Sequence, residues 1–179
     1  EACKADKSVN HFELLFILRI LLKCSADENR ETWNILTTFE NHWDLLSDAA
    51  LKRWMPTCKA VLDILPPSMA EDVTIEAVTQ AFCACWCNLF GMEKSGAGLF
   101  PASAFMNHSC AGYNAVYSFS VRDGHMYINV VSPIQPGEEL LLTYLPDQLM
   151  PRTERMMSLY STKFFVCACA SCVDPTDGG

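Results

Sequence analysis

Three cysteines near the C-terminus, Cys167, Cys169 and Cys172, stand in the run Phe165-Val-Cys-Ala-Cys-Ala-Ser-Cys. Thiols this close in sequence are poorly placed for an unstrained disulfide at i,i+2, whereas as thiolates they converge readily on a soft cation. Zinc suits that donor type. A structural zinc takes four ligands in a tetrahedron with Zn–S of about 2.3 Å, so the trio needs one more ligand from elsewhere in the chain. The chain holds ten cysteines, and the spacing of the trio does not choose among the other seven.

The whole chain must supply elements that hold such a centre. At 179 residues and 50% hydrophobic, it has the material for one substantial core. A secreted disulfide scaffold is the competing use of ten cysteines, but the chain is longer than such scaffolds, its cysteines sit in apolar helical patterns and no signal-peptide pattern is visible. Reduced thiols and an intracellular location, cytoplasmic and/or nuclear, are therefore expected. The net charge of -8 argues against direct nucleic-acid binding, which needs a basic surface, and favours a basic peptide as partner. The longest apolar run, Phe12 to Leu22, is interrupted by Glu13 and Arg19 and falls short of the roughly 20 residues of a membrane span. No membrane partner is expected.

Hydrophobic spacing divides the chain into a helical part and a strand-and-turn part. Helices are expected over His11 to Lys23, Glu31 to Leu46, and Leu51 to Leu65 with a cap at Ser47 or Asp48. Pro56 should kink the third or mark its first turn. A fourth is expected from Thr74 to Gly91. Cys83, Cys85 and Cys87 fall within it, and because alternate residues on a helix diverge, they read as buried thiols rather than a second metal site. From Gly96 onward short strands take over. Gly96-Ala-Gly98 lacks the context of a dinucleotide fingerprint. Ala115 to Val121 and His125 to Ser132 flank Arg122-Asp123-Gly124 as a hairpin. Pro136-Gly137 turns into a strand over Glu139 to Tyr144, and Pro151 to Ser161 forms a short helix before the cysteines.

Several segments occur in a fixed order: Asn107-His108-Ser109-Cys110, then Gly137-Glu138-Glu139-Leu140 leading to Tyr144, then Arg155 to Leu159, then the cysteine trio. In that order they resemble the C-terminal part of a SET-domain protein methyltransferase, and more narrowly the SMYD (SET and MYND domain) family. The resemblance implies an α+β fold: a helical insertion region over 1–90, a C-terminal SET core over 91–150, and a post-SET zinc-binding tail over 151–179. It names Cys110 as the fourth ligand beside Cys167, Cys169 and Cys172. It implies transfer of a methyl group from S-adenosylmethionine (SAM) to a lysine of a protein or peptide substrate, histone or non-histone, with Tyr144 as the phenol beside the transfer centre. It assigns Asn88, Asn107, His108, Tyr144 and Phe165 to the SAM pocket. The family's N-terminal SET strands and MYND module are not recognised in these residues, although Glu1 to Lys4 look like the end of a MYND module. An upstream region or a partner chain is thus expected to complete the site.

Each assignment has a plainer alternative. Tyr144 is also a strand-end aromatic, Asn88 a helix-terminal residue and Phe165 a packing residue. His11, His42 and His125 read as structural. Two departures stand out: Ala111-Gly112-Tyr113-Asn114 replaces the family's single residue followed by Pro-Asn, and Lys163 stands where an aromatic is usual, two residues before Phe165. A zinc-braced interaction module without catalysis is the alternative to the enzyme.

Overall fold

The computed structural model describes residues 9–27, 31–67, 73–92, 96–147 and 149–174. Glu1 to Lys4 lie outside the described residues. The chain forms two compact units, Glu1–Asn88 and Leu89–Gly179.

The first unit is helical. In α1 (His11–Ala26) the Asn10 side chain accepts from the N–H groups of Phe12 and Glu13, meeting two of the donors a helix start leaves unpaired. Ile17, Leu21 and Cys24 are buried along one stripe, as helical spacing requires. The second expected helix is broken: α2 covers Glu31–Thr38 and a 3-10 turn covers Trp43–Leu45. The cause is local. The Glu40 carboxylate accepts from the N–H groups of Asn41 and His42, and the Asn41 side chain accepts from Trp43 N–H at 2.9 Å. His42 turns left-handed at φ 48. These side chains compete with the helix for the backbone, which hydrophobic spacing alone does not register.

Ser47 caps α3 (Asp48–Ile64) by accepting from Ala50 N–H. Pro56 lies inside that helix, which continues through it. Thr74 caps α4 (Ile75–Cys87) through Ala77 N–H. This helix stops at Asn88, earlier than Gly91, because Leu89 to Gly91 are taken up by a strand. The core of the unit is aromatic, with the Trp54 and Phe82 ring centroids 5.2 Å apart in an edge-to-face contact. Cys83 and Cys85 are buried on α4, and burial pushes the Cys83 thiol up to about 12, so it stays protonated and apolar in character.

Among its described residues the second unit holds three small two-stranded sheets and three helices, the last of which contains Cys172. β1 (Leu89–Gly91) pairs antiparallel with β2 (Ala97–Leu99). The short helix α5 (Pro101–Ala104) leads into β3 (Asn107–His108). β4 (Ala115–Ser120) and β5 (His125–Val130) form the expected hairpin. Gly124 takes φ 73 at its tip, where an L side chain is strained. Pro136 and Gly137 form the next turn, in which Glu138 N–H donates to Gln135 O and Gly137 holds φ 86. It delivers the chain to β6, only Leu141–Leu142, shorter than the expected strand because its partner β3 is two residues long. Then follow α6 (Arg152–Lys163) and α7 (Ala170–Val173).

Two clusters fill this unit. One gathers Phe90, Ala115 and Leu142 beneath the hairpin. The other gathers Cys110, Leu145, Leu159, Cys167 and Cys172. Tyr144 packs against both.

Candidate active site and cysteine centre

The site begins with the pairing of two very short strands. β3 and β6 run parallel, with Asn107 opposite Leu141 and His108 opposite Leu142, and Ser109 N–H continues the ladder to Leu142 O at 2.9 Å. This register brings His108 to Tyr144. Tyr144 N–H donates to His108 Nδ1 at 3.0 Å, and the two rings lie 5.1 Å apart. Since Nδ1 accepts, the neutral imidazole carries its proton on Nε2, which lies 3.0 Å from Cys110 Sγ. Burial lowers the His108 pKa to about 4, consistent with that neutral form.

Tyr144 O–H donates to Met106 O at 2.5 Å. Burial, with the charge of Glu139 adding to it, raises the phenol's pKa above its ordinary value. The proton therefore stays on the phenol, and the oxygen retains lone pairs for an N–H donor. The third ring arrives from the tail. α6 ends at Phe164 in the left-handed conformation, φ 59, which turns the chain back so that Phe165 meets Tyr144 edge-on at 6.4 Å and His108 at 6.0 Å. Asn107 is exposed and donates from Nδ2 to the Glu139 carboxylate, leaving its carbonyl oxygen to accept. A groove of about 450 Å3 lined by Gly91, Val116, Phe119 and Leu145 lies nearby in the same unit; Tyr144 is not in its lining.

The four sulfurs of Cys110, Cys167, Cys169 and Cys172 lie within 4.8 Å of one another. Cys110 Sγ is 3.8 Å from Cys167 Sγ and 3.5 Å from Cys172 Sγ. These separations are far beyond a disulfide bond and close to the edge, about 3.8 Å, of a tetrahedron of sulfurs at about 2.3 Å from a common centre. The donor set fits a soft divalent cation. Burial drives the Cys110 thiol upward when no cation is present, the expected cost of crowding thiolates in an apolar place. Cys169 goes the other way: burial opposes ionisation, but hydrogen bonds from Ser171 and the backbone bring it down to about 6. Cys169 N–H also points at Cys167 Sγ, 3.5 Å away.

Comparison with known proteins covers part of the same residues. A family model described as SET domain matches residues 3–145. The chain belongs to the SET domain family. Within it, the similarity is to SMYD proteins. It is 34% identical over 113 residues to Histone-lysine N-methyltransferase SMYD3 of Mus musculus, covering 60% of this chain and 24% of that protein. It is 28% identical over 190 residues to Protein-lysine N-trimethyltransferase SMYD5 of Homo sapiens, covering 96% and 42%. With N-lysine methyltransferase SMYD2 of Gallus gallus it shares 30% over 139 residues, covering 75% and 31%. The chain thus spans less than half the length of these relatives.

In the second unit, His108, Tyr144 and Phe165 are brought together, Cys110 joins Cys167, Cys169 and Cys172, and Asn107, next to His108 in the chain, turns its side chain to Glu139. Asn88 belongs to the helical unit, where its amide donates to Glu40 O and Ala84 O. Two residues that the sequence offers only as parts of motifs, with no role attached, support the site. Asn114, 4% exposed, accepts from Leu141 N–H, donates to Glu139 O and receives Val131 N–H. It pins β6 in place across the altered loop, and Gly112 N–H closes that loop on Ser109 Oγ. Arg155, buried on α6, donates to Met150 O and to Ser171 O, tying the helix to the cysteine segment. A polar residue after a Cys-Ala-Gly-Tyr loop is no signal by itself; it becomes one only once the strands it links are known.

Proposed function

We propose that this chain carries the acceptor side of a SAM-dependent protein-lysine N-methyltransferase, braced by a zinc ion on Cys110, Cys167, Cys169 and Cys172. The observation that supports it best is the Tyr144 phenol, fixed by Met106 O and flanked by His108 and Phe165 at the junction of β6 and the tail. SAM, when bound, supplies an electrophilic methyl group on a sulfonium. The residues here hold, orient and keep dry the amine that takes it.

Because its O–H is committed to Met106, the Tyr144 oxygen accepts an N–H of the incoming amine and turns the nitrogen lone pair to one side, which is the alignment an in-line displacement needs. A lysine of pKa about 10.4 must also lose its proton before it can attack, and the aromatic walls of Tyr144 and Phe165 disfavour the ammonium by excluding water. Asn107 offers its free carbonyl oxygen to the donor's ammonium. His108 has both ring nitrogens engaged, so it serves the pocket through its ring face and backbone. Asn88 is proposed as a further contact of the cofactor. A basic protein or peptide suits the acidic chain as substrate. Zinc would hold the tail that carries Phe165.

A second reading, an interaction module without turnover, is favoured by one observation: Lys163 Nζ sits over the Tyr144 ring, 5.5 Å from its centroid. Calorimetric titration of SAM into the full-length protein separates the two. Saturable heat supports the enzyme, and its absence with zinc in place supports the module.

A further inference from the structure

Lys163 is the last residue of α6, a position where a lysine ordinarily serves the unpaired carbonyls of its own helix end. Here its side chain goes elsewhere. Nζ donates to Leu89 O on β1, 3.3 Å away, and lies over the face of Tyr144. The distance is within the range of a cation–π contact. Lys163 is half-buried, and the left-handed turn at Phe164 that follows it directs Phe165 to the same ring. Lys163 thus sets a cation, held by a backbone carbonyl, on the face of the same ring whose oxygen is proposed to take the acceptor amine.

We infer that Lys163 covers the ring face of Tyr144 that walls the proposed acceptor-amine place, so that the chain excludes a protonated lysine side chain until Lys163 withdraws. The inference rests on the proposed role of Tyr144. Two ammonium groups cannot share one aromatic face and one carbonyl, since each would lose its partner and face a like charge at short range. Lys163 therefore sets which acceptor the site admits: a neutral or differently shaped amine, or a lysine delivered by a partner that draws Lys163 out.

The probe is n-butylammonium, the end of a lysine side chain, followed by NMR on a tyrosine-labelled sample of the full-length protein prepared with zinc. Lys163→Met keeps the unbranched stem and removes the charge, and Lys163→Gln serves should the methionine variant fold poorly. Saturable shifts of the Tyr144 ring are expected in these variants, with affinity at least about tenfold above the native chain and above Lys163→Arg. In the native chain the Lys163 side-chain protons should show an upfield ring-current shift that Tyr144→Leu abolishes. Equal binding by native and variant chains, no binding by any of them, or an unshifted Lys163 overturns the inference. None of these readouts needs SAM. Failure of SAM to bind counts against the proposed enzyme and leaves the Lys163 result to be judged by itself.

Discussion

At the scale of single residues, Tyr144 is informative because its two polar groups are used in different directions. Its N–H is spent on His108 and its O–H on Met106 O, so the backbone places the phenol and the phenol's proton fixes its rotamer. Tyr144→Phe removes one hydrogen bond, worth about 1 kcal/mol of stability, while a methylation assay on the full-length protein should lose about a hundredfold or more in kcat. Unchanged turnover would remove Tyr144 from the mechanism. Asn114 predicts the opposite pattern. Asn114→Ala strands Leu141 N–H and Glu139 O and should cost about 2–4 kcal/mol in urea denaturation. Asn114→Asp keeps the acceptor for Leu141 and should cost roughly half as much. Equal losses in the two variants would mean that the Glu139 contact carries the effect alone.

At the scale of elements, helix caps were more legible than helix ends, two of which the spacing overran. Asn10, Ser47 and Thr74 each accept from N–H groups of the first turn, a local event between neighbours in sequence. The ends of α2 and α4 depended on what followed: a side-chain-capped turn in one case and a strand partner in the other. The contact between α1 and α3 makes a further prediction. Glu13 is buried on α1, 3.5 Å from Arg53 on α3, whose side chain is 66% exposed. Burial raises the Glu13 pKa above 4.5, with Arg53 opposing the rise. The folded state then holds this proton more tightly than the unfolded state does. Its contribution is fully present below the unfolded pKa and is lost as pH rises through the folded one. Glu13→Gln should flatten that decline in urea midpoints measured from about pH 4 to about pH 8, with stability at neutral pH unchanged or higher. A steeper decline in the variant would show that the carboxylate is stabilised as the anion.

At the scale of the whole molecule, the proposed zinc centre would decide whether the tail is part of the fold. The tail buries Leu159, Cys167 and Cys172, and a buried leucine contributes about 1.5–3 kcal/mol. The proposed zinc on four thiolates would contribute on the order of 10 kcal/mol, more than that packing. Chelation should strip hydrogen-exchange protection from residues 145–174 and abolish methylation by the full-length protein, while α1 to α4 keep theirs. Retained protection in the tail would show that packing alone holds it.

The sequence by itself determined the chemistry available and its order along the chain: four thiols of the right type, a Gly-Glu-Glu-Leu lead-in to Tyr144, and helices announced by caps and spacing. Those are properties of residue type and near neighbours. Tertiary structure alone decided that His108 would join Tyr144 to Cys110, that Asn114 would repair the altered loop, and that Lys163 would lie on the phenol. Each of these depends on the parallel register of two two-residue strands or on the turn after α6, contacts between segments tens of residues apart that periodicity does not encode.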